Sequence, residues 1–283
     1  MTKLQEKILN TMKAFDRICR ENGLQYYMLG GTMLGAVRHK GFIPWDDDAD
    51  FGLPREDYEN LLRLPKEKLP EGVLLRHFTK ESGVPYAFAR LEDITTTYVE
   101  ARRSGSGYIG GVYIDIFPLD EDSNVPVKQR WKEFKVNAVK KLLYAHIAED
   151  TVAKPSIKRH VMRLVGKVTD QEKLVRKLNA MVKQRKLLVG QSDHRRYSNY
   201  LGHWGRKESI PYKVFGAKQK EYEFEGMLFF GPADATAYLT ALYGTNYMIP
   251  PENRMRMGHP AKIVDLEHSY LTYKRKQNGK QED

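Results

Sequence analysis

At 283 residues, 41% hydrophobic and 29% charged, the chain is long enough to bury a sizeable core and has an ordinary globular composition. No apolar run reaches the ~20 residues that a bilayer-spanning helix needs, and a single cysteine, Cys19, excludes an internal disulfide. The net charge is +11, and residues 126–190 hold 17 Lys plus Arg against 5 Asp plus Glu, so one segment carries the surplus; such a surface suits nucleic acid, anionic lipid headgroups or a phosphate-rich substrate.

Apolar residues at Leu4, Ile8, Leu9, Met12, Phe15, Ile18 and Cys19 predict a helix over 2–21, ended by Asn22-Gly23, with Cys19 in the core. The start, MTKLQEKILN, lacks the apolar core of a secretory signal, and the cytoplasm is the expected compartment. A short strand over 24–29 leads into Gly30-Gly31-Thr32, with Thr32 expected as N-cap of a helix through Val37. Strand, paired glycine and helix start together make a phosphate cradle, because exposed N–H groups and missing side chains admit an anion. The same glycine pair also reads simply as a turn.

Four aspartates follow within five positions: Asp46, Asp47, Asp48 and Asp50. In a strand over 49–53, alternation puts Asp48 and Asp50 on one face. Adjacent carboxylates resist joint ionisation unless a cation separates them, and hard oxygen ligands suit Mg²⁺ or Mn²⁺. Asp46 and Asp47 cap a turn or bind a second ion. Pro54 suits the first turn of a helix. Strands are expected over 73–78, 86–91, 95–100 and 107–117, the last placing Asp115 in an apolar setting. There it meets a metal, or pairs with a nearby Arg or Lys. Asp120 reads as a turn or cap residue.

From Val127 to about Leu188 the pattern is helical and basic, with breaks near Lys154-Pro155 and Thr169-Asp170. Glu221–Phe230 alternates like a strand, Pro232–Tyr243 reads as a helix ended by Gly244, and 244–260 reads as a loop. The tail from 274 to 283 reads as disordered. His39, His203 and His259 are scattered and lack the paired spacing of a zinc site.

GGTMLGAVRHKGFIPWDDDAD, YIDIFPLD and YLTALYGTNYMIPPENR, in that order, resemble the LicD family of phosphotransferases. These are related to the fukutin-type enzymes of the nucleotidyltransferase-fold superfamily. The resemblance covers about residues 20 to 260 and implies an α+β fold: a nucleotidyltransferase-like mixed β-sheet core flanked by helices, with an added basic helical region. The expected divisions are a catalytic core over 1–125, a basic helical insertion over 126–195 and a part completing the catalytic domain over 196–273. The family activity is metal-dependent transfer of a phosphoryl-linked group, commonly phosphocholine from CDP-choline, to a hydroxyl of a cell-surface glycan such as a teichoic acid or lipopolysaccharide precursor.

Under that resemblance Asp48, Asp50 and Asp115 are the metal-binding and catalytic carboxylates, with Mg²⁺ or Mn²⁺ as cofactor. Gly30, Gly31 and Thr32 grip the donor phosphates, while Arg38 and Lys40 neutralise charge on the phosphoryl oxygens. A quaternary ammonium needs aromatic faces, for which Trp45, Tyr108, Tyr113, Tyr243 and Tyr247 are the candidates. Choline, ethanolamine, glycerol and ribitol donors all remain open. The expected partners are a CDP-linked donor and a glycan or lipid-linked oligosaccharide acceptor, with peripheral contact at an anionic membrane through the basic helices and no nucleic acid. The rival readings are a nucleotidyltransferase moving NMP to a small molecule and a basic nucleic-acid-binding protein.

Overall fold

The computed structural model of the chain describes residues 1–123, 126–147, 164, 169–183, 195–252 and 260–272. Apart from Leu164, the helical stretch expected between Pro155 and Val168 lies outside the described residues, as do His259 and the tail from 274 onward. The fold is α+β, built on an eight-stranded mixed sheet.

Helix α1 (Lys3–Glu21) begins with a capping box between Thr2 and Gln5 and stops at Asn22, with Gly23 at φ +63°. Its apolar stripe, Cys19 included, is buried. Phe15 meets Phe51 at 4.8 Å and Tyr26 at 5.1 Å between ring centroids, fixing α1 against β1 (Tyr27–Met28) and β2 (Asp50–Pro54). Between those strands runs α2 (Gly30–His39), and α3 (Arg55–Arg63) follows β2 directly with Pro54 as its N-cap.

Next come β3 (Val73–Arg76), β4 (Ala89–Glu100) and β5 (Gly110–Ser123). The stretches 86–91 and 95–100, expected as two strands, merge into β4, with a register break between Asp93 and Tyr98 that the pattern reads as a gap. The order along the sheet is β1-β2-β5-β4, then a late strand β10 (Ala261–Asp265), which lies just beyond the expected loop. Strands β2 and β5 run parallel; the other pairs are antiparallel. Strand β5 outlasts its expected end because it changes neighbour. It pairs β4 up to Ile116 and, from Asp120, pairs β6 (Arg195–Ser198). Pro118, which has no N–H to give, falls in the interval between them. Asp120 is therefore not a turn residue. It is buried in β5 and bound by both Nε and Nη2 of Arg55 at 2.8 and 2.7 Å.

The basic region forms α4 (Pro126–Ile147) and α5 (Gln171–Val182), the latter capped by Asp170, and the two pack together. Strand β7 (Ser209–Pro211) extends the sheet beyond β6 and leads into the short α6 (Tyr212–Phe215). Residues 221–230 are not one strand but a separate hairpin, β8 (Lys220–Phe224) and β9 (Met227–Gly231). Its turn at Glu225-Gly226 takes φ +49° and +73°, and the alternation on both sides had masked it. Helix α7 (Ala235–Tyr243), capped by Asp234, ends at Gly244 as expected.

Candidate active site

One point in the backbone joins three segments. The Asp50 N–H donates to Thr32 Oγ1 at 2.8 Å, and the Asp50 carbonyl accepts from Leu29 N–H at 2.9 Å. Alongside, Asp115 N–H donates to the Ala49 carbonyl at 2.9 Å. The β1–α2 junction, the aspartate run and the middle of β5 are thereby locked together. Asp50 and Asp115 are register partners on adjacent parallel strands, so their side chains leave the same face. They open with Asp48 and Asp46 into a cleft of about 560 Å³.

Helix α2 points its first turn into this cleft without a side-chain cap. Gly30 sits at φ +48°, and a Cβ there would come within 3.4 Å of Asp50 Oδ2. A Cβ on Gly31 would stand 2.7 Å from Asp46 Oδ2, so glycine is what lets that carboxylate approach. The Gly30 N–H is already given to Tyr238 Oη at 3.1 Å. Gly31, the next residue of the opening turn, lines the cleft with an N–H that a helix start leaves without an intrahelical partner.

The electrostatics follow from this crowding. Burial, then the carboxylates of Asp48, Asp115, Asp46 and Glu208, push the Asp50 carboxyl pKa well above its ordinary value. No hydrogen-bond donor to the Asp50 carboxylate is found among the described residues, and either protonation or a bound cation would relieve this crowding. Asp115 is buried and does have one: Arg90 Nε at 2.6 Å from Oδ1 and Nη2 at a looser 3.4 Å from Oδ2. Arg90 Nη2 also lies 2.9 Å from Glu100 Oε2. Burial works against the guanidinium charge, but Asp115 and Glu100 outweigh it and raise the Arg90 pKa.

Among the described residues no three His, Cys, Asp or Glu side chains are grouped to hold an ion as they stand. An all-oxygen donor set at Asp48 and Asp50 nevertheless fits a hard divalent cation. Asp115 would share its carboxylate between that ion and Arg90.

Arg38 lines the cleft from the last turn of α2, with Nη1 donating to the Tyr247 carbonyl at 2.9 Å. Burial lowers its pKa, opposed by Tyr243 and Asp46. Trp45, Tyr243 and Tyr247 line the same space. Thr32 and Lys40 do not. Thr32 lies inside α2 rather than at its N-cap and is buried, its hydroxyl spent on Asp50; Lys40 is the exposed left-handed C-cap at φ +59°. Tyr108 and Tyr113 are also elsewhere, Tyr108 donating to Glu92 at 2.6 Å and Tyr113 lying 3.5 Å from the Arg90 guanidinium.

Among the cleft residues that the sequence did not single out are Tyr144 of α4, Trp204, Glu208 and Tyr238. Trp204 packs edge-on against Tyr243 at 5.2 Å and, with Tyr144, stays part-exposed. Glu208 accepts from Trp204 N–H at 2.6 Å, and burial raises its carboxyl to about 7. Nothing in the polar string RKES marks it, since its burial comes from the chain on either side of it and from α4. His203 also lines the cleft, whereas His39 sits edge-on to Trp45 at 6.4 Å.

Residues 23–156 match the family model described as LicD/FKTN/FKRP, nucleotidyltransferase domain. Along 266 residues the chain is 28% identical to "Lipopolysaccharide cholinephosphotransferase LicD" of Haemophilus influenzae, covering 89% of this chain and 92% of that protein. It is also 30% identical over 113 residues to human "Ribitol 5-phosphate transferase FKRP", 40% of this chain but only 20% of that one.

Proposed function

From a chain that carries a LicD-family domain, we infer a transferase that moves a phosphate-containing group onto a glycan. In its finer form the proposal is transfer of phosphocholine from CDP-choline to a hydroxyl of a lipopolysaccharide-type or teichoic-acid-type acceptor. The observation that carries it is the meeting of Asp48, Asp50 and Asp115 with the uncapped start of α2 in one aromatic-walled cleft.

Mg²⁺ or Mn²⁺ held by Asp48 and Asp50, with a share of Asp115, would supply charge neutralisation at the donor diphosphate. The protein's own groups do the rest. The N–H of Gly31 orients a phosphoryl oxygen at the positive end of α2. Arg38 balances charge spreading over those oxygens as the bond to the leaving nucleotide lengthens. Asp115, steadied by Arg90, would receive the proton of the attacking hydroxyl through its more loosely held oxygen. Trp45, Tyr243 and Trp204 offer ring faces that a quaternary ammonium can approach without a hydrogen bond.

The test is incubation with CDP-choline, CDP-ethanolamine, CDP-glycerol or CDP-ribitol, Mg²⁺ or Mn²⁺, and a lipopolysaccharide or teichoic-acid acceptor. Release of CMP with a matching mass gain on the acceptor is expected, CDP-choline turning over fastest. Pyrophosphate release from a nucleoside triphosphate, with no CMP from any CDP donor, would replace this reading with nucleotidyl transfer.

A further inference from the structure

Helix α4 is apolar on two opposite sides. Val136, Val139 and Leu143 are buried, facing the layer that contains α5. At ~100° per residue, Val127, Trp131 and Phe134 fall within an arc of roughly 60° on the opposite side, and they are 67%, 62% and 67% exposed. Trp131 and Phe134 stand edge to face at 6.1 Å, forming one protruding aromatic pair. Exposed Arg130, Lys135 and Lys141 flank that stripe, and Lys135 Nζ reaches to 6.0 Å from the Trp131 ring. By contrast Lys132 and Lys140, on the inward side, are spent on the carbonyls of Val182 and Gly202.

We propose that this outward face of α4 docks on an anionic lipid bilayer, lying in the headgroup layer. Aromatic and aliphatic side chains ringed by lysine and arginine gain twice there: the rings leave water and the cations meet phosphate. A second copy of the chain is disfavoured, because a twofold contact would press Arg130, Lys135 and Lys141 against the same three charges. Nucleic acid would satisfy the cations and stack on Trp131 and Phe134, but it offers aliphatic Val127 nothing to bury in. No described helix is long and apolar enough to cross a membrane, so the contact is one of surface docking. Tyr144, which lines the cleft, lies on the same helix 13 residues beyond Trp131. At 1.5 Å per residue that sets the docked face about 20 Å along the axis from the site.

The experiment is co-sedimentation of the full chain with vesicles of phosphatidylglycerol and phosphatidylcholine, set against pure phosphatidylcholine. Neither donor nor acceptor is present, so the result stands apart from the phosphotransfer assay. Binding at least about tenfold tighter to the anionic vesicles, weakening with salt, is expected. The pairs Trp131→Ser with Phe134→Ser, and Lys135→Glu with Lys141→Glu, should each lose about tenfold or more while keeping the wild-type thermal midpoint. Tryptophan emission provides a readout that needs no disruptive change: the blue shift on anionic vesicles should vanish in Trp131→Phe, although Trp45 and Trp204 remain. Equal binding to both vesicle types, no binding, or variants that bind like wild type would overturn the proposal. So would RNA binding or self-association through Trp131 in a protein that ignores vesicles.

Discussion

Asp50 is held where its charge is disfavoured: half-buried, beside three other aspartates and Glu208. Its carboxyl pKa lies above the unfolded value, so ionising it at neutral pH costs folding energy in the metal-free protein. Asp50→Asn should therefore leave the metal-free thermal midpoint unchanged or higher, while turnover falls by roughly a thousandfold or more. An active Asp50→Asn enzyme would remove Asp50 from the reaction. Glu208 gives a pH signature. With a folded value of about 7 against an ordinary 4.5, it contributes stability that is present below pH 4.5 and lost as the pH rises through 7. Thermal midpoints across that window should decline in the wild type and flatten in Glu208→Gln; parallel curves would place the titration on another group.

At the scale of elements, the site depends on how β2, β4 and β5 present charge to one another. Arg90 of β4 sits opposite Asp115 in the register and bonds both Asp115 and Glu100 inside the sheet. Arg90→Met strands two buried carboxylates and should cost about 3–5 kcal/mol, read as a lower urea midpoint; an unchanged midpoint would mean that other groups neutralise them. Much here is legible in a single segment. Alternation alone puts Tyr113, Asp115 and Phe117 on one face of β5, and the Asn22-Gly23 stop of α1 is a local backbone matter. What misled was local pattern without its neighbour: Asp120 has the look of a turn residue after Pro118 until Arg55 of α3 is found holding it. Thr32 likewise has the chemistry of an N-cap, and the strand beside it claims its hydroxyl instead.

For the whole molecule, the cleft draws on segments more than 200 residues apart, with Gly30 bonded to Tyr238 and Arg38 to the Tyr247 carbonyl. If Asp48 and Asp50 gather an ion there, binding to the folded state alone stabilises the whole chain. Mg²⁺ or Mn²⁺ at a hundredfold excess over Kd should add about 2.7 kcal/mol, seen as a higher thermal midpoint that a chelator reverses. Asp48→Asn and Asp50→Asn should not respond. A wild-type midpoint indifferent to both ions would argue against a resident metal.

By itself the sequence determined the helix and strand periods, the clustering of Asp48 and Asp50, the glycine pair beside them and the lone carboxylate in β5, because each is a local chemical choice written in neighbouring residues. Only tertiary structure decided that Arg90 would be the partner of Asp115, that Trp204, Glu208 and Tyr144 would wall the cleft, and that Tyr108 and Tyr113 would not. Those outcomes depend on strand order and on which chains pack across it, and burial, the force that sets both, is a property of the assembled molecule rather than of any stretch of chain.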